Sequence, residues 1–158
     1  MRIVMIAENE PAGTAILFTR AINRLTRHSC RLITCQTRYE HDFPKDIHVP
    51  DCADDPDGLG AMEQVLREAD VFHFHMLADE HYPLGPFKTK DFFRGQAIIH
   101  HHHGHPVFRS EPTRFRDKYQ SLGRDRLLVS TPDLLRILPE AAWLPNLVPL
   151  DHPLYLPR

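Results

Sequence analysis

Hydrophobic and polar positions change period repeatedly along this chain, and each change marks an element. Arg2 to Ala7 (RIVMIA) is a continuous apolar run of strand length, the pattern of a strand covered on both faces. A polar turn, Glu8 to Gly13, follows. Phe18, Ala21, Ile22 and Leu25 then fall at helical spacing, with Thr14 as the expected N-cap. Leu32 to Cys35 is a second short apolar run. Strand, helix and strand within about 35 residues make a βαβ unit, whose strands are expected to be parallel.

The stretch Thr37 to Gly58 is polar, contains proline and ends acidic at Asp51, Asp54, Asp55 and Asp57. It reads as a long loop around one weak strand, Asp46 to Val49. Leu59, Met62, Leu66 and Ala69 predict a second helix. Strands follow at Asp70 to His75, Gln96 to His102 and Arg126 to Ser130, with helices between them at Leu84 to Phe93 and Thr113 to Leu122. A last short helix runs from Thr131 as N-cap, with Pro132 in its first turn, to Leu138, and Ala142 to Leu144 forms a final strand. This alternation predicts an α/β, three-layer Rossmann-like domain with a mostly parallel, doubly wound sheet. The domain is expected to span residues 1–145, and the proline-rich residues 146–158 read as a linker leaving it.

Composition removes several classes. At 158 residues the chain is one domain's worth, and 42% hydrophobic residues exclude a disordered chain. A net charge of −2 carries no mark of nucleic-acid binding. No run approaches the roughly 20 apolar residues of a membrane span. Met1 to Ala7 meets Glu8 and Glu10 at once and has no small-residue cleavage site, so it does not read as a signal peptide. Three cysteines (Cys30, Cys35, Cys52) without a CxxC pair point to a reducing cytoplasm and to inert thiols.

What changes the picture is histidine, present 12 times. One predicted strand closes on Phe72-His73-Phe74-His75, and the next on Ile98-Ile99-His100-His101-His102-His103-Gly104-His105-Pro106. Alternation puts His73 and His75 on one face, and separates His100 and His102 from His101 and His103. With the two strands adjacent, up to seven imidazoles are expected at one rim. One reading is core histidines satisfied by backbone. A second is a small zinc hydrolase: His100-x-His102-x-x-His105 copies part of the HxHxDH pattern of metallo-β-lactamase-like enzymes, with Gly104 in the aspartate position.

Ligands of doubly wound sheets bind beyond the carboxyl ends of the strands. The first such turn, Glu8-Asn9-Glu10-Pro11-Ala12-Gly13-Thr14, leads into a helix N-terminus able to take an anion or polar oxygen. A GxGxxG dinucleotide fingerprint is absent, since Gly13 stands alone. Glu8 and Glu10 are either plain turn carboxylates or holders of acceptor hydroxyls. Arg109, Arg114, Arg116, Lys118, Arg124 and Arg126 form a basic stretch, read as a solvated helix face or as an electropositive lip for an anionic lipid head group or a phosphorylated acceptor. Trp143 is expected to pack under the last helix.

The third reading uses the order of motifs across nearly the whole chain. RIVMIAENEPAG, ADVFHFH, AIIHHHHGHP and LLVSTPDLLRILPEAAWLPNLVPLD succeed one another. That succession resembles the N-terminal half of GT-B fold glycosyltransferases, especially family 4. Those domains read as a strand ending in a glycine turn, then DVVHVH, VVVTVHG, VSxxxxxxL and VIPNGVD, with Leu147 here where the last motif has glycine. The resemblance implies an acceptor-side domain of a bacterial hexosyltransferase, cytoplasmic or at the inner membrane face. It implies His103 as the catalytic histidine of the HG motif, with Gly104 and His105 beside it. His75 would line the cleft, and Gly13 and Thr14 would approach donor phosphate or acceptor, beside Glu10 as a candidate holder of acceptor hydroxyls. It further implies no metal or cofactor, a nucleotide-sugar as co-substrate held by a second domain that follows the PNGVD segment, a sugar or lipid-linked acceptor, and inactivity of this half alone. The rival from another class is a stand-alone Rossmann-like binding module.

Overall fold

In the computed structural model, which describes residues 1–38 and 43–149, the apolar runs form a single seven-stranded sheet in which every pairing is parallel. Its strands are β1 (Arg2–Ala7), β2 (Ser29–Thr34), β3 (Ile47–His48), β4 (Val71–His75), β7 (Ala97–His102), β8 (Arg126–Val129) and β9 (Ala142–Trp143). They lie in the order β3-β2-β1-β4-β7-β8-β9. The chain starts in the middle, winds to one edge, returns and winds to the other. This is the doubly wound Rossmann-like topology, with its switch point between β1 and β4. The predicted fold class is therefore correct.

Helices cover both faces because each carries one apolar stripe. On one face, α1 (Thr14–Leu25) lays Ala15, Ile16 and Phe18 against Met5, Ala7 and Leu32. On the other, α3 (Pro56–Glu68) packs Met62 and Leu66 against Val4, Ile6, Phe72 and Phe74. Asp55 caps α3 by accepting from the Asp57 amide at 3.1 Å, and Pro56 supplies a first turn that needs no donor. Beyond β7, α4 (Pro106–Ser110) and α5 (Pro112–Leu122) bury Phe108, Phe115 and Tyr119 against Val129, Leu134 and Leu138. A four-residue α2 (Val49–Cys52) completes the helices, with 3₁₀ turns at Thr89–Phe92 and Pro132–Arg136.

Several expectations need correction. Leu84 to Phe93 is not a helix. It is a small hairpin, β5 (Pro83–Leu84) with β6 (Phe87–Lys88), followed by the first 3₁₀ turn. Leu84, Phe87 and Phe92 imitate helical spacing, but Gly85 takes a left-handed φ of 63° and breaks the run. Trp143 is 54% exposed on an edge strand, not packed under a helix, and its indole donates to the Ser130 carbonyl at 3.2 Å. The basic stretch is not a free electropositive lip. Arg109, Arg114, Arg116, Lys118 and Arg124 pair with Asp133, Glu111, Glu140, Asp79 and Glu80 respectively. Residues 150–158, the greater part of the expected linker, lie outside the described residues, as does Asp151 of the last motif.

Candidate functional site

The register of β1, β4 and β7 decides where the histidines go. Ala7 sits opposite His75, and His75 opposite His101. Because side chains alternate, His73, His75 and His101 share the face under α1, and His103 follows them just beyond the strand. His100 and His102 take the opposite face. The imidazoles therefore do not gather at one rim; the sheet divides them.

On the α5 face, the two rings are core groups with partners. The His100 Nε2–H donates to the Met76 carbonyl at 2.8 Å. The His102 ring stacks on Phe108, centroids 3.8 Å apart, and its Nε2 is hydrogen-bonded to the Tyr119 hydroxyl. His105 is elsewhere again: its Nδ1 accepts from the Val107 amide at 3.2 Å and caps α4. The triad His100, His102 and His105 is thus not assembled, and the zinc-hydrolase reading loses its ligand set.

On the α1 face the picture differs. His73 stacks on His75 with centroids 4.5 Å apart, and His101 on His73 at 5.6 Å. His103 lies 4.2 Å from His101 by centroids, and its Nε2 is 2.9 Å from His75 Nδ1. His73, His75 and His101 are buried. Burial disfavours the charged ring, and neighbouring imidazoles add to the penalty at His73, which falls to about 3, at His75, which falls well below its ordinary value, and at His101, which falls to about 2; burial alone lowers His103 to about 4, against a hydrogen bond with the Asn146 side chain. The cluster is neutral at pH 7.

Above it opens a crevice of about 450 Å³ beyond the strand ends, bordered by Glu8 and Asn9 after β1, Met76 after β4, and His103, Gly104 and His105 after β7. This is the switch-point position where open α/β sheets take ligands. Met76 holds a left-handed φ of 60°, uncommon for a side chain of this size, and such conformations concentrate at functional sites. Gly104, with φ 83°, makes the turn of the HG segment, and its carbonyl accepts from Arg109 Nε at 3.2 Å.

The remaining expected site residues are placed differently. His75 is buried behind His103 and does not border the crevice. Thr14 is not the N-cap of α1. Gly13 occupies that position with φ 67°, and the Glu10 carboxylate accepts from the Ile16 amide at 3.0 Å, with Ala15 and Thr14 amides close by. The helix N-terminus is therefore taken by the protein's own carboxylate. Burial of Glu10 outweighs those amides and raises it to about 7. Glu10, Gly13 and Thr14 do not border the crevice, whereas Glu8 does. Asn9 and Met76 also border the crevice, and no residue pattern marks either as a site residue, a left-handed methionine least of all.

The three cysteines remain free thiols, Cys30 pushed up to about 11 and Cys35 up to about 12 by burial. Among the described residues no helix is long and apolar enough to cross a membrane.

Gly13 gives a direct test of the turn. A Cβ there would overlap the Phe43 ring, and a non-glycine residue would also carry the strain of a left-handed backbone. Gly13→Ala is expected to destabilise the protein by about 1–2 kcal/mol, read from urea unfolding.

Compared with protein-family models, with curated proteins and with solved structures, the chain finds no match.

Proposed function

We propose that the chain is the acceptor-side, N-terminal domain of a glycosyltransferase similar to family 4, completed by a second Rossmann-like domain that brings the nucleotide-sugar. The observation that carries this reading is the crevice at the switch point, whose rim includes His103, Gly104 and His105 of the HG-like segment. Glycosyl transfer passes through an oxocarbenium-like state while charge builds on the leaving diphosphate. Positioning and hydrogen-bond donation then matter more than a protein nucleophile.

His103 suits the donor's role as a neutral imidazole, because its lowered pKa of about 4 keeps it uncharged at pH 7. Its Nε2 meets His75 Nδ1 at 2.9 Å, and that contact sets how the ring faces the crevice. His75 is accordingly a positioning residue in this reading, setting the ring's resting orientation. Glu8, at the mouth, is the group suited to an acceptor hydroxyl. Glu10 holds the α1 turn instead, since its carboxylate is spent on backbone amides. The acceptor is a sugar or a lipid-linked sugar.

The test is label transfer from nucleotide-sugars by the two-domain protein purified from its source cells. His103→Ala is expected to lower kcat by about 10²–10³-fold, the usual effect of removing one transition-state donor. The isolated 158-residue chain is expected to transfer nothing. Undiminished transfer by His103→Ala, or a native protein no larger than this chain, overturns the reading in favour of a binding module.

A further inference from the structure

We propose that His73, His75 and His101 form a binding site for one divalent transition-metal ion of the zinc class, with His103 as the outer group that orients His75. The three side chains each offer a ring nitrogen, and these nitrogens lie within 4.8 Å of one another. Among the described residues, this is the group of histidine, cysteine or carboxylate side chains so arranged. Tetrahedral ligands of zinc sit about 2.0–2.1 Å from the ion and so about 3.4 Å apart. Small rotations of the rings supply the difference.

The hydrogen-bond inventory points the same way. His73 Nε2 and His75 Nε2 are buried without a hydrogen-bond partner, and His101 has no partner beyond the Leu144 backbone; one nitrogen each of His100, His102 and His103 is unpartnered too, but those rings do not face one another as this trio does. Neutral imidazole carries one donor and one acceptor, and buried polar groups are normally paired. An apolar core at this position calls for apolar side chains, as Met5 and Ala7 are on the same face of the neighbouring strand. Three facing rings with unpaired nitrogens instead have a common remedy, a cation shared by their lone pairs.

The outer group is in place as well. His75 Nδ1 meets His103 Nε2 at 2.9 Å, which leaves His75 Nε2 as the ligating atom. Metal-binding histidines commonly use their second nitrogen in this way. An all-imidazole set suits zinc, copper, nickel or iron, not calcium or magnesium, which prefer oxygen. Three neutral ligands leave the ion's charge uncompensated, so the fourth position falls to water, hydroxide or an anionic oxygen. His103 both borders the crevice and touches His75, and the route for ion and fourth ligand runs past its ring. The site differs in every residue from the His100, His102 and His105 set that the sequence suggests.

The site does not rest on the glycosyl-transfer reading: metal content decides the one and label transfer the other. The experiment uses the untagged 158-residue chain, purified without a metal-affinity column, stripped with chelator and dialysed against Zn²⁺. One bound ion per chain and a raised Tm are expected. His75→Phe and His101→Phe should each weaken binding by more than about 100-fold, and His103→Ala by about 10–100-fold. His100→Phe, equally buried on the opposite face, should keep the ion. Should the ligand variants misfold, imidazole ¹⁵N shifts of the unaltered chain decide. Zn²⁺ should move the rings of His73, His75 and His101 and leave His100 and His102 in place. No stoichiometric uptake, or an ion held by other histidines, overturns the proposal.

Discussion

In chelator-treated protein, stability is expected to collapse between pH 6.5 and about 5, well above the range where ordinary carboxylates titrate. His73, His75, His100, His101 and His102 are all buried with lowered pKa values, in each case chiefly through desolvation. In the unfolded chain they return to about 6.5. Below that pH the unfolded state takes up protons that the native state refuses, so stability rises with pH and is lost as pH falls. Each such histidine contributes about 1.4 kcal/mol per pH unit, and five together about 7 kcal/mol per unit once the unfolded rings are fully protonated. A domain of ordinary stability holds about 5–15 kcal/mol. One or two pH units therefore suffice to unfold it.

Glu10 acts with the opposite sign. Its native pKa near 7 means the folded state holds a proton more tightly between about 4.5 and 7, and that one group offsets a small part of the loss. Far-UV circular dichroism against urea at several pH values, with EDTA present, reads the slope. A stability unchanged from pH 7 to pH 5 would sink the picture of a neutral, buried histidine cluster.

That cluster also shows what the sequence could and could not reveal. The fold class was legible because parallel strands buried on both faces must be continuous apolar runs, as RIVMIA and the stretch ending at Phe74 are. The parity of the histidines was legible too, since His73 with His75 and His101 with His103 follow from a period of two. What parity alone does not give is register. Only when His75 falls opposite His101 does it follow that His101, not His100, joins the first pair. Combining the two parities with a neighbouring register was the available signal, and the tempting spacing of His100, His102 and His105 concealed it. Glu10's capture of the α1 terminus was also hidden, because it depends on how a six-residue turn folds back.

The largest single-residue effect on stability is expected at a pair separated by 44 residues, whose meeting no local pattern announces. Glu80 and Arg124 side chains are only 5% and 1% exposed, and two hydrogen bonds join them, Nη1 to Oε1 at 3.1 Å and Nη2 to Oε2 at 2.6 Å. The guanidinium also lies over the rings of Phe74 and Tyr119, at 5.6 and 5.8 Å. Glu80→Ala leaves that cation buried and unpaired, a change that costs about 3–5 kcal/mol. For a chain of this length the Tm should fall by about 6–20 °C. Glu111→Ala, which breaks the exposed pair with Arg114, should change stability by less than about 1 kcal/mol. Replacing both partners, Glu80→Leu with Arg124→Met, should recover most of the loss, because no buried charge then remains. The pair has a second consequence. Together with the Lys118–Asp79 ion pair it ties the segment following Met76 to α5 and the start of β8. Met76 borders the crevice and its carbonyl accepts a hydrogen bond from the His100 ring, so the variant should loosen the crevice wall as well as the core. Faster amide hydrogen exchange over residues 76–82 in Glu80→Ala, restored in the double variant, is the expected signature. A Glu80→Ala protein within about 1 kcal/mol of the parent would mean that Arg124 finds solvent or another acceptor, and that the pair does not anchor this wall.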